Sequence, residues 1–243
     1  MRQKIRKGIL TLSALLFPLF FLFFSPFIIV VAASRGIVSA SAITFTVLLL
    51  CSMVGSRLFC GWLCPAGSIQ DQVSNSNSKL WNSKAKNISK YVFWAVWLSF
   101  ILFLWMRHLP LEINLLYLCG INLHILTVYF IVATSIYLFA LLTGKRGMCH
   151  SLCWMAPFMV IGEKVADFLH LPRFRLEADS AACISCGQCN KKCPMSLDVS
   201  KMIKNNCVDS AECIYCLECA DVCPKSAIQC GIKGKSKRHT SIR

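Results

Sequence analysis

Charge is scarce in this chain, and acidic residues are scarcest of all. Asp, Glu, Lys and Arg make up 15% of the 243 residues, against roughly 25% in an average globular protein. Only 11 residues are acidic while 26 are Lys or Arg, a formal net charge of +15. An ordinary soluble domain with a charged surface is thereby excluded. The 56% hydrophobic share and a mean hydropathy of +0.59 point to a bilayer instead. Familiar cofactor signatures are also missing. There is no C-x-x-C-H run for covalent haem attachment, and no G-x-G-x-x-G or P-loop run for a dinucleotide or nucleotide. No basic, aromatic-interleaved folded surface is visible, so nucleic acid is not an expected partner.

Long uncharged runs crowd the first 143 residues. Gly8–Ser34 and Gly36–Ser56 carry no charge except Arg35 between them. Tyr91–Met106 is aromatic-rich, with Trp94, Trp97 and Trp105, and Ile113–Gly144 is again uncharged. A helix rises 1.5 Å per residue and the hydrocarbon core is about 30 Å thick, so each run is read as a span, the third one entered from Asn87. The fourth helix is expected at about 122–143, with Pro18 and Pro26 as tolerated kinks in the first. Lys and Arg concentrate at the N-terminus, in the 57–90 loop and at Lys145–Arg146. The positive-inside rule then places both termini in the cytoplasm. Basic blocks beside spans also suit anionic lipid. Residues 155–171 show apolar positions at helical spacing (Phe158, Ile161, Val165, Phe168 and Leu169) opposite Glu163, Lys164 and Asp167. They read as a helix on the cytoplasmic membrane surface, with packing against the C-terminal module as the alternative.

Sixteen cysteines are present, too many for chance and wrongly placed for a small secreted disulfide scaffold. Residues 183–194 read CISCGQCNKKCP and residues 213–224 read CIYCLECADVCP. Each is C-x2-C-x2-C-x3-C-P, in which the first three thiolates grip one four-iron cube and the fourth serves the other. The spacing predicts one [4Fe–4S] cluster on Cys183, Cys186, Cys189 and Cys223, and a second on Cys213, Cys216, Cys219 and Cys193. Structural zinc fits a triple-cysteine run badly. Cys207 and Cys230 fall outside the runs, and Cys51 and Cys119 lack partners; all four read as packing residues.

A second cysteine duplication reads CGWLCP at 60–65 and CHSLCW at 149–154. Both pairs are expected at the cytoplasmic membrane face, each on one helix face at i, i+4. Cys60, Cys64, Cys149 and Cys153 are therefore candidate ligands for an additional metal or iron–sulfur cluster, or working dithiols. Packing of helix ends is the alternative. His108, Glu112, His124 and His150 are candidates for a quinone's hydrogen-bond partner; His170 and His239 read as surface residues.

The segments RLFCGWLCPAGSIQD (57–71) and KRGMCHSLCWMAPF (145–158), with the two ferredoxin runs after them, resemble the membrane polyferredoxins related to NapH and to the membrane half of NosR. The likeness covers most of the chain and departs at Trp154, where that family commonly has proline. It implies an α-helical membrane protein with four transmembrane helices and a C-terminal α+β bacterial-type 2[4Fe–4S] ferredoxin domain, multi-pass in the cytoplasmic membrane. The expected division is 1–145 for the transmembrane domain, 146–176 for the second pair and linker, 177–231 for the ferredoxin domain and 232–243 for a basic tail. The expected function is electron transfer between a membrane carrier, such as the quinone pool, and a cytoplasmic or partner-enzyme redox centre, as an electron-transfer subunit of an oxidoreductase. The alternative is a maturation factor that supplies electrons to a respiratory metalloenzyme or reduces a metal at the paired cysteines. Expected partners are redox proteins or subunits, membrane lipid and quinone.

Overall fold

Prolines divide the first apolar run instead of merely bending it. In the computed structural model, which describes residues 1–74, 84–115, 117 and 123–234, the expected span over 8–34 is four pieces. They are α1 (Arg2–Leu15), α2 (Phe17–Phe20), a 3-10 turn (Phe21–Phe24) and α3 (Pro26–Ala33). Pro18 and Pro26 each stand in a first helical turn, where a missing N–H costs nothing, so each starts a helix. Ser25 caps α3 by accepting the Ile28 amide at 3.4 Å. The second run yields β1 (Ile37–Ser39) before α4 (Ala40–Gly55), which leaves a helix of 16 residues. Next come α5 (Leu58–Trp62), α6 (Pro65–Ser74), α7 (Lys84–Arg107), β2 (Glu112–Asn114), α8 (Leu123–Thr143), α9 (Gly147–Ser151) and α10 (Met155–Phe168).

The expectation of four spanning helices is not supported among the described residues. Among the described residues Ile88–Arg107, 20 residues, is long and apolar enough to cross a membrane, whereas Ala40–Gly55 and Thr127–Thr143 are apolar but shorter. Of the sequence readings in the outer loop, Cys119 and most of 116–122 lie outside the described residues, as do the His124 side chain, residues 75–83 and the tail from 235.

Residues 1–74 and 84–168 repeat one order of elements and pack on each other reciprocally. α6, which ends the first half, lies on α8 of the second; α10, which ends the second, lies on α4 of the first. Likewise α1 meets α5 and α6, and α7 meets α9 and α10. β1 and β2, which follow the first long segment of each half, pair in parallel with Ile37 opposite Glu112 and Ser39 opposite Asn114.

This packing corrects the reading of α10 as a surface helix. Its buried face is Ala156, Met159, Val160, Gly162, Glu163 and Ala166, while Phe168 is 81% exposed. Small residues let its backbone approach α4 closely; a Cβ on Gly162 would overlap the Ser52 hydroxyl of that helix. Phe158 packs edge-on against Phe45 and Trp94, with centroids 5.4 and 5.3 Å away.

The C-terminal module starts earlier than the expected boundary at 177. β3 (Arg173–Ala178) is followed by α11 (Gln188–Lys192), α12 (Val199–Ile203), β4 (Cys207–Val208), α13 (Glu218–Asp221) and β5 (Ile228–Lys233). β3 is the centre of an antiparallel sheet, flanked by β4 and β5. One buried core runs from this module into the helices, joining Leu176, Ile214 and Ile228 to Cys60, Cys149 and Met159. Polar ties reinforce the seam: the Trp62 indole donates to the Tyr215 carbonyl at 3.1 Å, and the Arg173 guanidinium to the Ser56 hydroxyl at 2.9 Å.

Candidate iron–sulfur sites

The two ferredoxin runs fold as copies of one loop. Left-handed backbone recurs at matched positions: Ser185 (φ 54°) and Tyr215 (φ 51°), Gly187 (φ 70°) and Leu217 (φ 64°), Ser196 (φ 52°) and Ser226 (φ 48°). Such angles are costly for residues with a Cβ and persist where the surroundings demand them. Here they curl the chain tightly enough for thiols three residues apart to face one space. One cavity is lined by Cys183, Cys186, Cys189 and Cys223, the other by Cys193, Cys213, Cys216 and Cys219. Backbone amides reach the sulfurs: Ala227 N–H points at Cys223 Sγ from 3.4 Å. The amides of Tyr215 and Glu218 likewise favour the thiolates of Cys213 and Cys216. Burial still pushes Cys213 well up and Cys216 up to about 12, so a cation must enter for the thiolates to persist.

The two cavities differ in their surroundings. Cys193, Cys213, Cys216 and Cys219 are all buried, whereas Cys186 is exposed and Cys183 and Cys223 are half-buried. The buried set lies beneath the seam with the helices, and the other opens outward.

The second duplication is larger than a pair of cysteines. It reads R-x-x-C-x-x-x-C, as Arg57–Cys60–Cys64 and Arg146–Cys149–Cys153. Each arginine precedes a five-residue helix, α5 or α9, and its carbonyl accepts the first cysteine's amide at 3.0 Å in both copies. The expectation of an i, i+4 pair on one helix face is corrected. α5 ends at Trp62 and α9 at Ser151, and Cys64 and Cys153 sit in the turns that lead into α6 and α10.

The reciprocal packing then crosses the two copies. Gln70 of α6 donates to Cys149 Sγ of the other half at 3.3 Å, and Met159 of α10 takes the Cys60 thiol on its sulfur at 3.4 Å. Gln70 and Met159 occupy the same place in the repeat, ten residues beyond the first cysteine of their own pair. All four thiols lie within electrostatic reach: Cys64 feels Cys60, Cys149 and Cys153, and Cys149 feels Cys153 and Cys60. Burial pushes Cys149 up to about 12 and raises Cys60 and Cys64, while Arg57 and Arg146 pull Cys60 down.

Buried cations surround this cluster. Arg146, fully buried, grips Asp71 through two bonds of 2.6 and 2.7 Å and donates to the Cys60 carbonyl at 2.8 Å. Arg57, also fully buried, donates to the Ala211 carbonyl at 2.5 Å and stands 3.6 Å from Glu212, which Lys90 meets at 2.5 Å. Burial pushes the Asp71 carboxyl up, but Arg146 and Arg6 outweigh it and hold the group below its ordinary value. Four thiolates in a dry site need such positive charge. Among the described residues no three His, Cys, Asp or Glu side chains close up around a single ion. The same holds for the ferredoxin cysteines.

Apart from His150, the other sequence candidates among the described residues do not join these clusters. His108 and Glu112 are exposed at the far end of α7 from Lys90, Cys51 is exposed on α4, and Cys207 and Cys230 lie in β4 and β5. His150 is buried with Nδ1 3.6 Å from Glu212, and burial lowers its pKa to about 4. Sequence reasoning missed Arg57, Arg146, Gln70 and Met159. The 89-residue offset between the two R-x-x-C-x-x-x-C runs carried that signal, because it maps Gln70 onto Met159.

Comparison with known proteins finds iron–sulfur domains in this chain. Residues 39–84 match the family described as a 4Fe-4S binding domain, and residues 175–225 match the 4Fe-4S dicluster domain. The chain thus carries two iron–sulfur domains. The uncharacterized protein MJ0749 of Methanocaldococcus jannaschii is 26% identical over 175 residues, 68% of this chain and 62% of the relative. The "Putative electron transport protein YccM" of Escherichia coli K12 is 23% identical over 190 residues, 68% of this chain and 49% of the relative. MJ0750 of Methanocaldococcus jannaschii is 24% identical over 213 residues, 81% of this chain and 86% of the relative. The chain therefore spans between about half and three fifths of MJ0749 and YccM. No solved structure matches.

Proposed function

We propose that this chain is a membrane-bound electron-transfer protein of the NapH/NosR-like type. It passes electrons between a membrane carrier (the quinone pool or a membrane redox partner) and a cytoplasmic or partner-enzyme redox centre. When bound, four-iron clusters supply reversible one-electron storage. Cys183, Cys186, Cys189 and Cys223 hold one; Cys213, Cys216, Cys219 and Cys193 hold the second; Cys60, Cys64, Cys149 and Cys153 hold an additional one. The observation that carries the reading is the seam between the two cysteine systems. The Cys60–Trp62 turn of α5 lies directly on the Ile214–Cys216 loop, so close that a Cβ on Gly61 would overlap the Ile214 carbonyl oxygen. Within one core, protein atoms lead from the paired cysteines to the buried ferredoxin set, and from there to the exposed one. The side chains along this route exclude water, hold the sulfurs and offset their charge.

A broad apolar surface supports membrane attachment by several passes. Phe93, Val96, Phe100 and Phe103 of α7, Phe130, Ile131 and Leu138 of α8, and Val47, Leu50 and Val54 of α4 are exposed, far more than water tolerates on one body. Both termini and the ferredoxin module then lie on the cytoplasmic side, as the basic loops require.

Met159 against the Cys60 thiol favours a second reading, because thioether and thiolate are soft donors that suit cuprous ion. A maturation factor would use that pair to hold the cuprous ion formed when cupric ion takes one electron from a reduced iron–sulfur cluster, and would pass it to a client enzyme. One experiment separates the readings: iron and acid-labile sulfide content with low-temperature EPR, on anaerobic wild type and on a variant with Cys60, Cys64, Cys149 and Cys153 all changed to serine. The proposal expects about twelve iron in wild type and about eight in the variant, four per cube. About eight in both removes the additional cluster and leaves the maturation reading; none in either refutes iron–sulfur function altogether.

A further inference from the structure

The charges of the ferredoxin module are sorted onto two sides. Acids on its inner side are consumed at the seam: Glu212 by Lys90 and Arg57, Glu218 by Arg6, and Asp221 by Arg2. The elements that line the exposed cysteine set carry further cations. Lys225 lines that cavity itself, beside exposed Pro224. Lys191 and Lys192 end α11, and Lys201 and Lys204 lie in and just after α12. These two helices are tied together by the Ser200 amide on Asn190 Oδ1 at 2.8 Å. All five lysines are exposed. The opposing acids are few: Asp179, and Asp198, whose carboxylate is occupied by Asn190 at 2.7 Å and by capping α12. Ile184, which lines the same cavity as Lys225, is 58% exposed and offers an apolar contact point there.

We propose that this face docks a soluble, acidic one-electron carrier protein, which approaches the Cys183–Cys186–Cys189–Cys223 cavity over Ile184 with its carboxylates on Lys191, Lys192, Lys201, Lys204 and Lys225. The inference rests on the electron-transfer reading above and adds the chemistry of the partner. Complementary charge speeds encounter and sets orientation more than it adds affinity, and it is screened by salt. Such a contact forms and releases quickly, as a carrier between two enzymes must.

The test uses the full chain with its iron intact, in neutral detergent, and a purified acidic bacterial ferredoxin as probe, with basic cytochrome c as the opposite-charge control. Affinity is measured against ionic strength, and carbodiimide cross-links between lysine and carboxylate are mapped. Binding to the acidic probe should weaken at least about tenfold as salt rises from roughly 0.05 to 0.5 M. The triple variant Lys191→Glu, Lys192→Glu, Lys225→Glu should lose about tenfold at low salt, with iron content retained. Lys7→Glu, on the other side of the seam, should bind as wild type does. Cross-links should fall on the five lysines. Salt-independent binding, equal binding of cytochrome c, or cross-links elsewhere overturn the proposal. So does protection of these lysines from acetylation by anionic nanodiscs but not by the probe, which would assign the face to lipid. An iron-free wild type would sink the electron-transfer reading itself, whereas salt-independent binding by iron-replete protein sinks the docking face alone.

Discussion

Replacing Gly61 with alanine tests the seam between the paired cysteines and the ferredoxin module. The added Cβ would overlap the Ile214 carbonyl oxygen and stand 3.3 Å from the Cys216 amide nitrogen. Both neighbours are backbone in a loop held by cysteines on either side, so neither can swing away as a side-chain tip would. The two loops must separate. Overpacking of this kind costs about 1–3 kcal/mol. Separation also strains the Trp62–Tyr215 hydrogen bond of 3.1 Å, a further loss of about 1 kcal/mol. For a chain of this size each kcal/mol lowers Tm by roughly 2–4 °C, so a fall on the order of 10 °C is expected. Thermal unfolding of detergent-solubilised protein measures it, with iron content assayed in parallel. Gly8→Ala is the matched control. Gly8 is exposed inside α1 with nothing within 4 Å of an added Cβ, so alanine there should stabilise by up to about 1 kcal/mol. An unchanged melting curve for Gly61→Ala would show that the loops do not touch as described, and the proposed route between the cysteine systems would fall with it.

Other perturbations probe the charges around the same centre. Asp71→Asn leaves buried Arg146 without its bidentate partner and should cost about 3–5 kcal/mol, read by denaturant titration. Arg2→Ala, at the solvent-exposed Asp221 pair, should cost less than about 1 kcal/mol. Burial raises Glu163 from 4.5 to about 7, against the pull of Arg173 and Arg57. The folded state therefore keeps this proton where the unfolded chain has lost it. Its contribution to stability is full below about pH 4.5 and is lost as pH rises through 7, a change on the order of 3 kcal/mol. Glu163→Gln should flatten Tm against pH across that window; an unaltered profile would mean the carboxylate is already ionised at neutral pH.

The cysteine runs were readable in the sequence because ligand spacing is a local property: three thiols within seven residues allow few shapes. Long-range packing is not local. Nothing in the stretch 8–34 distinguishes a proline that kinks a span from one that starts a new helix, and in the fold Pro18 and Pro26 start helices. The periodicity of 155–168 foretold a helix with an apolar stripe. Which stripe is buried was decided by Gly162 fitting against Ser52, and that contact carries Glu163 inward with it. The four thiols of the R-x-x-C-x-x-x-C runs could be paired on paper. Their convergence depends on α6 and α10 reaching across to the opposite half, and only the 89-residue repeat hinted at it.

That crossing makes the two halves depend on each other. Each half owns two of the four thiols, one arginine and one arm that serves its neighbour's cysteine rather than its own. A single half on its own has an arm with nothing to hold and a cysteine with nothing to steady it. Each half therefore completes the other's site within one chain. Two fragments severed between Ser74 and Lys84 would have to find each other before either could shelter its share of the sulfur.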